Sequence, residues 1–160
     1  MTIPPGYTQC IGLSVGNSLY EIGSLDLLHA CNSTIVYHLE QPEGWGSKFP
    51  VLLIHLHDDH IAPERLPDAL QELQRIEAGL QRLKPHDIIA DIEHPQQSVP
   101  ADLINRSAPT AADAFVSPHQ HRLVDVFRMA LQDAITNHSV VKYAIFYERV
   151  EADGTRSLIV

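Results

Sequence analysis

The segment His55-Leu56-His57-Asp58-Asp59-His60 reads H-x-H-x-D-H. Imidazoles and a carboxylate are good zinc ligands, and two clustered ions could activate a water. Read for chemistry alone, His55, His57, Asp59 and His60 would serve a small zinc-dependent hydrolase. A second pattern, Gly12-Leu13-Ser14-Val15-Gly16, matches G-x-S-x-G. In hydrolases that spacing forms a strained elbow between strand and helix and exposes a serine nucleophile. Each chemistry makes demands on the rest of the chain. A catalytic zinc loop needs further ligands on later loops. The next histidines, His119 and His121, lack the glycine-flanked context expected there. Pro63 and Pro67 offset the helix that follows His60. Ser14 has only eleven residues before Gly12, too few for the preceding strands and oxyanion loop, and Asn17-Ser18 reads as a turn where a helix should start. The expectation is therefore a polar, solvent-facing histidine loop with no resident metal or cofactor, a strand glycine at Gly12 and a turn glycine at Gly16.

The elements around these motifs follow from periodicity. Ile11, Leu13 and Val15 alternate and predict a strand over 9–15, closed by a turn at Gly16-Asn17-Ser18. Ser24 is a helix N-cap with Asp26 in the first turn, and Leu28, Cys31, Ile35 and Leu39 mark one face through about Glu40. Pro42, Gly44 and Gly46 break that helix, and the loop after it carries the single tryptophan, Trp45. Phe49–Leu56 fits either a buried strand or a helical turn. Leu66, Leu70, Leu73, Ile76, Leu80 and Leu83 recur every three or four residues between Pro63 and Pro85, the strongest helix in the chain and a core-packing seam. Ile88–Ile92 reads as a strand, 94–112 as a long irregular stretch and 113–116 as a short strand. Leu123, Val124, Phe127, Leu131, Ala134 and Ile135 mark another helix. Val140–Tyr147 is β-rich, and Asp153-Gly154 predicts a hairpin turn before Ser157–Val160. The fold class expected is α+β, a single domain over 1–160: a small mixed or antiparallel sheet, about three main helices and a C-terminal β-hairpin.

Composition narrows the function. At 160 residues the chain is long enough to bury a real core, and 44% apolar with 19% charged residues places it among globular domains. Twenty acids against 11 Lys and Arg give a net charge of −9, which repels nucleic acid and anionic membranes and suits a basic protein partner. Cys10 and Cys31 form no ligand pair and fit a reducing compartment. Met1–Gly6 shows no basic, apolar leader, so a cytoplasmic location is expected.

Three ordered stretches carry a resemblance. They are Tyr20-Glu21-Ile22-Gly23-Ser24 with Leu28-His29 and Ser33–Glu40; Gly44-Trp45-Gly46-Ser47-Lys48-Phe49-Pro50-Val51-Leu52; and Ala69–Ile76 with Asp91-Ile92-Glu93 after it. Over about residues 10–145 the chain resembles the Immunity protein 70 family of bacterial polymorphic toxin systems. The resemblance implies an antidote and not an enzyme: a protein that binds and blocks the C-terminal domain of a cognate toxin. It supplies no catalytic residues. The chain departs from the family in its histidine cluster and in having Ala90 before Asp91 and no tryptophan after His94-Pro95. Candidate partner contacts are acids near irregular segments, Glu43, Asp58, Asp59, Glu64, Asp91 and Glu93. Trp45 is either a loop-capping core residue or an aromatic anchor.

Overall fold

The architecture is taken from a computed structural model, which describes residues 3 and 5–159. Strand β1 (Thr8–Val15) turns back through Gly16-Asn17 into β2 (Ser18–Gly23). Gly16 has φ +56°, which a two-residue hairpin turn needs at its first position. The strand over 9–15 is thus as expected, whereas β2 was not anticipated. The alternation expected of β1 is real: Ile11, Leu13 and Val15 join the core cluster. Between Ile11 and Gly12 the β1–β2 register slips by a residue. Gly12 sits at that bulge, where a Cβ would meet the carbonyl oxygen of Tyr20 at 2.7 Å. Ser14 lies within β1, one residue from its end and paired with Leu19 and Lys142, and the chain continues into a hairpin and not into a helix.

Helix α1 (Leu25–Leu39) is capped by Ser24, whose Oγ accepts from the Leu27 amide at 3.1 Å. The ambiguous run after it is helical: a π-helical turn, Val51–His55, passes into the short α2 (Leu56–Asp58). A 3₁₀ turn, Pro63–Arg65, leads into α3 (Leu66–Leu80), which buries Leu66, Ala69, Leu73, Ile76 and Leu80 as its spacing dictates. A four-residue α4 (Ala111–Ala114) precedes α5 (Leu123–Asn137). Strands β3 (Val141–Val150) and β4 (Arg156–Ile159) form the C-terminal hairpin across the Asp153-Gly154 turn. Val160, the last residue of the predicted strand, lies outside the described residues, as do Met1, Thr2 and Pro4 of the predicted N-terminal segment. The sheet is antiparallel throughout, in the order β2-β1-β3-β4. The fold is α+β, as expected.

Two expected strands are absent. Ile88–Ile92 is irregular because its backbone groups find partners on α1 and not in a ladder. The Ile89 amide donates to Thr34 Oγ1 at 3.2 Å, and His38 Nε2 lies 2.7 Å from the Asp87 carbonyl. Ile88 and Ile89 are buried there all the same. Residues 113–116 span the end of α4, which Thr110 caps by accepting from the Asp113 amide at 3.4 Å. Only a single bridge, Val116 to Arg122, is β-like in that region.

A charged lattice joins the last helices. Arg122 reaches Glu77, Asp113 and Asp125, and Arg128 reaches Glu77 and Asp125. The Arg122 hydrogen bond holds the Asp125 carboxyl below the usual range.

Candidate functional site: an acidic, aromatic-lined cleft

The loop between α1 and the π-helical turn carries Trp45, and two buried glutamates fix it. Glu40, the residue that caps the C-terminal end of α1, is fully buried. Its Oε1 accepts from the Gly46 amide at 2.9 Å, and its Oε2 from the amides of Lys48 at 2.9 Å and Phe49 at 3.0 Å. Glu72 on α3 does the same for the start of the π-helical turn, accepting from Val51 at 3.1 Å and Leu52 at 3.0 Å. Those amides have no partner within their own turn, so a carboxylate aimed at them both satisfies them and faces the positive end of the helix dipole. Burial nonetheless pushes the Glu72 carboxyl above its ordinary range, the two amide bonds opposing the shift.

On this frame Trp45 is half-buried against the core. Its indole N–H donates to the Leu53 carbonyl at 2.6 Å, and its ring meets His57 edge-on at 5.5 Å. Trp45 thus packs on the loop that carries it and leaves part of its ring exposed. Across from it, Asp91 Oδ1 accepts from the Glu93 amide at 3.0 Å and lies 3.1 Å from His29 Nε2 on α1. The Glu93 amide first, and then His29, hold the Asp91 carboxyl below the usual carboxylate range. Together His29, Trp45, His57, Asp91, Ile92 and Glu93 line a surface cleft of about 370 Å³.

The structure thus unites three of the candidate contacts, Trp45, Asp91 and Glu93, from segments far apart in sequence. Glu43 is exposed on the same loop as Trp45, and Asp58 is exposed beside the cleft-lining His57, 3.3 Å from its Nδ1. Asp59 pairs with His60 at 2.6 Å, and Glu64 is exposed in the 3₁₀ turn before α3; neither lines the cleft. The histidine motif does not assemble. Among the described residues, Cys10, Glu21 and Glu148 form the one set of three or more His, Cys, Asp or Glu whose donor atoms converge, and His55, His57, Asp59 and His60 do not. His57 and His60 pair instead with the acid beside each.

The sequence carried a signal for Glu72: a lone acid among Ala69, Leu73 and Ile76 on the apolar seam of a helix. It carried none for Glu40, whose role depends on how the loop folds back.

Fold and cleft define a small α+β domain with an acidic, aromatic-lined surface recess on a fixed loop. Residues 13–143 match the family model described as Immunity protein 70, and the chain belongs to that family. It is by that membership an immunity protein. Neither a curated protein nor a solved structure matches it. No helix among the described residues is long and apolar enough to cross a membrane.

Proposed function

We propose that this protein is a stoichiometric antidote, not an enzyme: it binds the C-terminal domain of a cognate toxin in the cytosol of the producing cell and blocks it. The observation that carries the binding site is the Trp45 cleft, where an aromatic ring and the carboxylates of Asp91 and Glu93 share one recess. Glu43, on the same loop as Trp45, and Asp58, beside His57, add negative charge next to it; Asp59 and Glu64, which do not line it, are the remaining candidate contacts. The net charge of −9 suits a basic toxin domain, because complementary fields speed capture and exclude wrong partners. An antidote has to reach the toxin before the toxin reaches its target, so a fast association rate is the useful quantity.

The test is co-expression with the toxin domain encoded immediately upstream, read by cell survival and by co-purification. Rescue with a one-to-one complex is expected. The double variant D91N/E93Q should slow association several-fold at low salt while leaving the melting temperature close to wild type. W45A should weaken binding roughly thirty-fold, the size of an aromatic hot spot. Absence of both rescue and complex would refute the antidote reading for that pairing. Full rescue and unchanged association by D91N/E93Q would move the contact surface elsewhere.

A further inference from the structure

Cys10, Glu21 and Glu148 meet on the sheet face away from Ile11, Leu13 and Val15. The register explains how. Thr8 pairs with Glu148, Gly12 with Glu21 and Val150 with Arg156, so the side chains of Cys10, Glu21, Glu148 and Arg156 project to one side. One donor atom from each of Cys10, Glu21 and Glu148 lies within 4.8 Å of the others. Cys10 Sγ is 3.9 Å from Glu148 Oε2. Cys10 and Glu148 are 5% and 9% exposed, and the Glu21 side chain is 14% exposed.

Two features set this cluster apart from an ordinary ion pair. The inner oxygens, Glu21 Oε1 and Glu148 Oε1, are buried with no hydrogen bond. Arg156 ion-pairs with both, at 3.6 Å from Glu21 Oε1, so its charge serves them without hydrogen-bond geometry. Buried carboxylates normally have their lone pairs satisfied by hydrogen bonds; here a guanidinium charge alone stands at these two oxygens, the position a metal cation would contest. The second feature is the donor set itself. A thiol next to two carboxylates is poor structural chemistry and good ligand chemistry. His119 Nε2 lies 2.8 Å from Glu21 Oε2, the outer-shell contact that orients a ligating carboxylate.

We propose that Cys10, Glu21 and Glu148 bind one thiophilic divalent cation of the zinc type, in competition with the guanidinium of Arg156. A thiolate in the set selects such an ion over magnesium or calcium. On binding, the Cys10 thiol releases its proton to solvent, the Sγ–metal bond forms, and no electrons are transferred. The donors close by roughly an ångström onto bonds of about 2.3 Å to sulfur and 2.0–2.2 Å to oxygen. Arg156 sits on the edge strand β4 with 31% of its side chain exposed, so it can swing to solvent. The route inward is a cleft of about 640 Å³ whose walls include Cys10, Glu148, Asp102 and Ser117. It lies apart from the Trp45 cleft, and the proposal is independent of toxin binding.

The test is titration of metal-free full-length protein with Co²⁺, followed by displacement with Zn²⁺. Thiolate-to-cobalt absorption in the near ultraviolet, saturating at one equivalent, is expected. C10S should abolish it, with E148Q as the second variant if C10S does not fold. R156Q should tighten binding at least roughly tenfold, because a competing charge a few ångströms away is gone. H119A should weaken binding by roughly 10–100-fold. The triple variant H55A/H57A/H60A should bind as wild type does. Three results would each overturn the proposal: no absorption in both wild type and R156Q, absorption that survives in folded C10S, or absorption lost in the histidine triple.

Discussion

Replacing Glu40 by glutamine tests the reasoning about the loop most directly. The two side chains have nearly the same shape, so packing is conserved and only the acceptors change. Glu40 receives three amides, one on Oε1 and two on Oε2. The least damaging placement of the new NH₂ group is at Oε1, where it faces the Gly46 amide donor to donor. One buried N–H then lacks an acceptor, at a cost of about 1–3 kcal/mol, and the other two bonds lose their charge assistance. A neutral side chain is cheaper to bury, which offsets part of this loss. The net expectation is destabilisation of about 1–3 kcal/mol, or a fall in melting temperature of roughly 3–10 °C in a domain of this size. Trp45 is the single tryptophan and sits inside the loop, so its fluorescence reports the local change directly. Urea melts followed by Trp45 emission and by far-ultraviolet circular dichroism should both shift to lower midpoint. Hydrogen exchange should speed up at the amides of Gly46, Lys48 and Phe49. An E40Q protein with the wild-type midpoint and full protection at those three amides would refute the account.

Other outcomes follow from the same geometry. G12A should lower the unfolding free energy read from urea melts by about 1–3 kcal/mol, because the new Cβ would stand 2.7 Å from the backbone oxygen of Tyr20, which cannot rotate aside. Asp125 has its carboxyl depressed by Arg122, then by Arg128, so its contribution is present above the ordinary carboxylate pKa of about 3.9 and is lost as pH falls through the lower folded value. Melting temperatures measured from about pH 5 down to pH 2 should therefore drop less steeply in D125N than in wild type, and an identical slope would remove Asp125 from the acid response.

What the sequence showed and hid follows from the range of the interactions. α1, α3 and α5 were legible because each repeats one apolar face over about four turns, and β1 because its alternation is clean. Ile88–Ile92 reads as a strand by composition, yet Thr34, more than fifty residues earlier, supplies the partner of both backbone groups of Ile89, and His38 meets the Asp87 carbonyl just before it. No local pattern encodes that. β2 escaped notice because the bulge at Gly12 and the half-buried Leu19, Tyr20 and Glu21 blur its period. The histidine motif failed in the opposite way. Its spacing suits a ligand set on an extended loop, but a helical path through 51–58 turns the side chains apart. The set of donors that does converge, Cys10, Glu21 and Glu148, spans nearly the whole chain and is joined only by sheet register.

The same frame bears on how a binding loop can be both irregular and fixed. A binding loop that is ordered only on contact with a partner loses affinity to that ordering. Here the cost is met on folding. Glu40 at the C-cap of α1 holds the amides of Gly46, Lys48 and Phe49, Glu72 from α3 holds the next turn, and the Trp45 indole is tied to the Leu53 carbonyl. Gly46 is the counterpart in packing: with φ +80°, it lies so close to Ile54 that any Cβ would overlap that side chain. Glu40, Glu72, Gly46 and Leu53, which fix the loop and the Trp45 indole, are buried. Acids on the rim can then vary to suit a partner without disturbing the fold, whereas Glu40, Glu72 and Gly46 cannot. Substitutions should separate accordingly: rim changes should alter association with little effect on melting, and changes at the three buried positions should alter both.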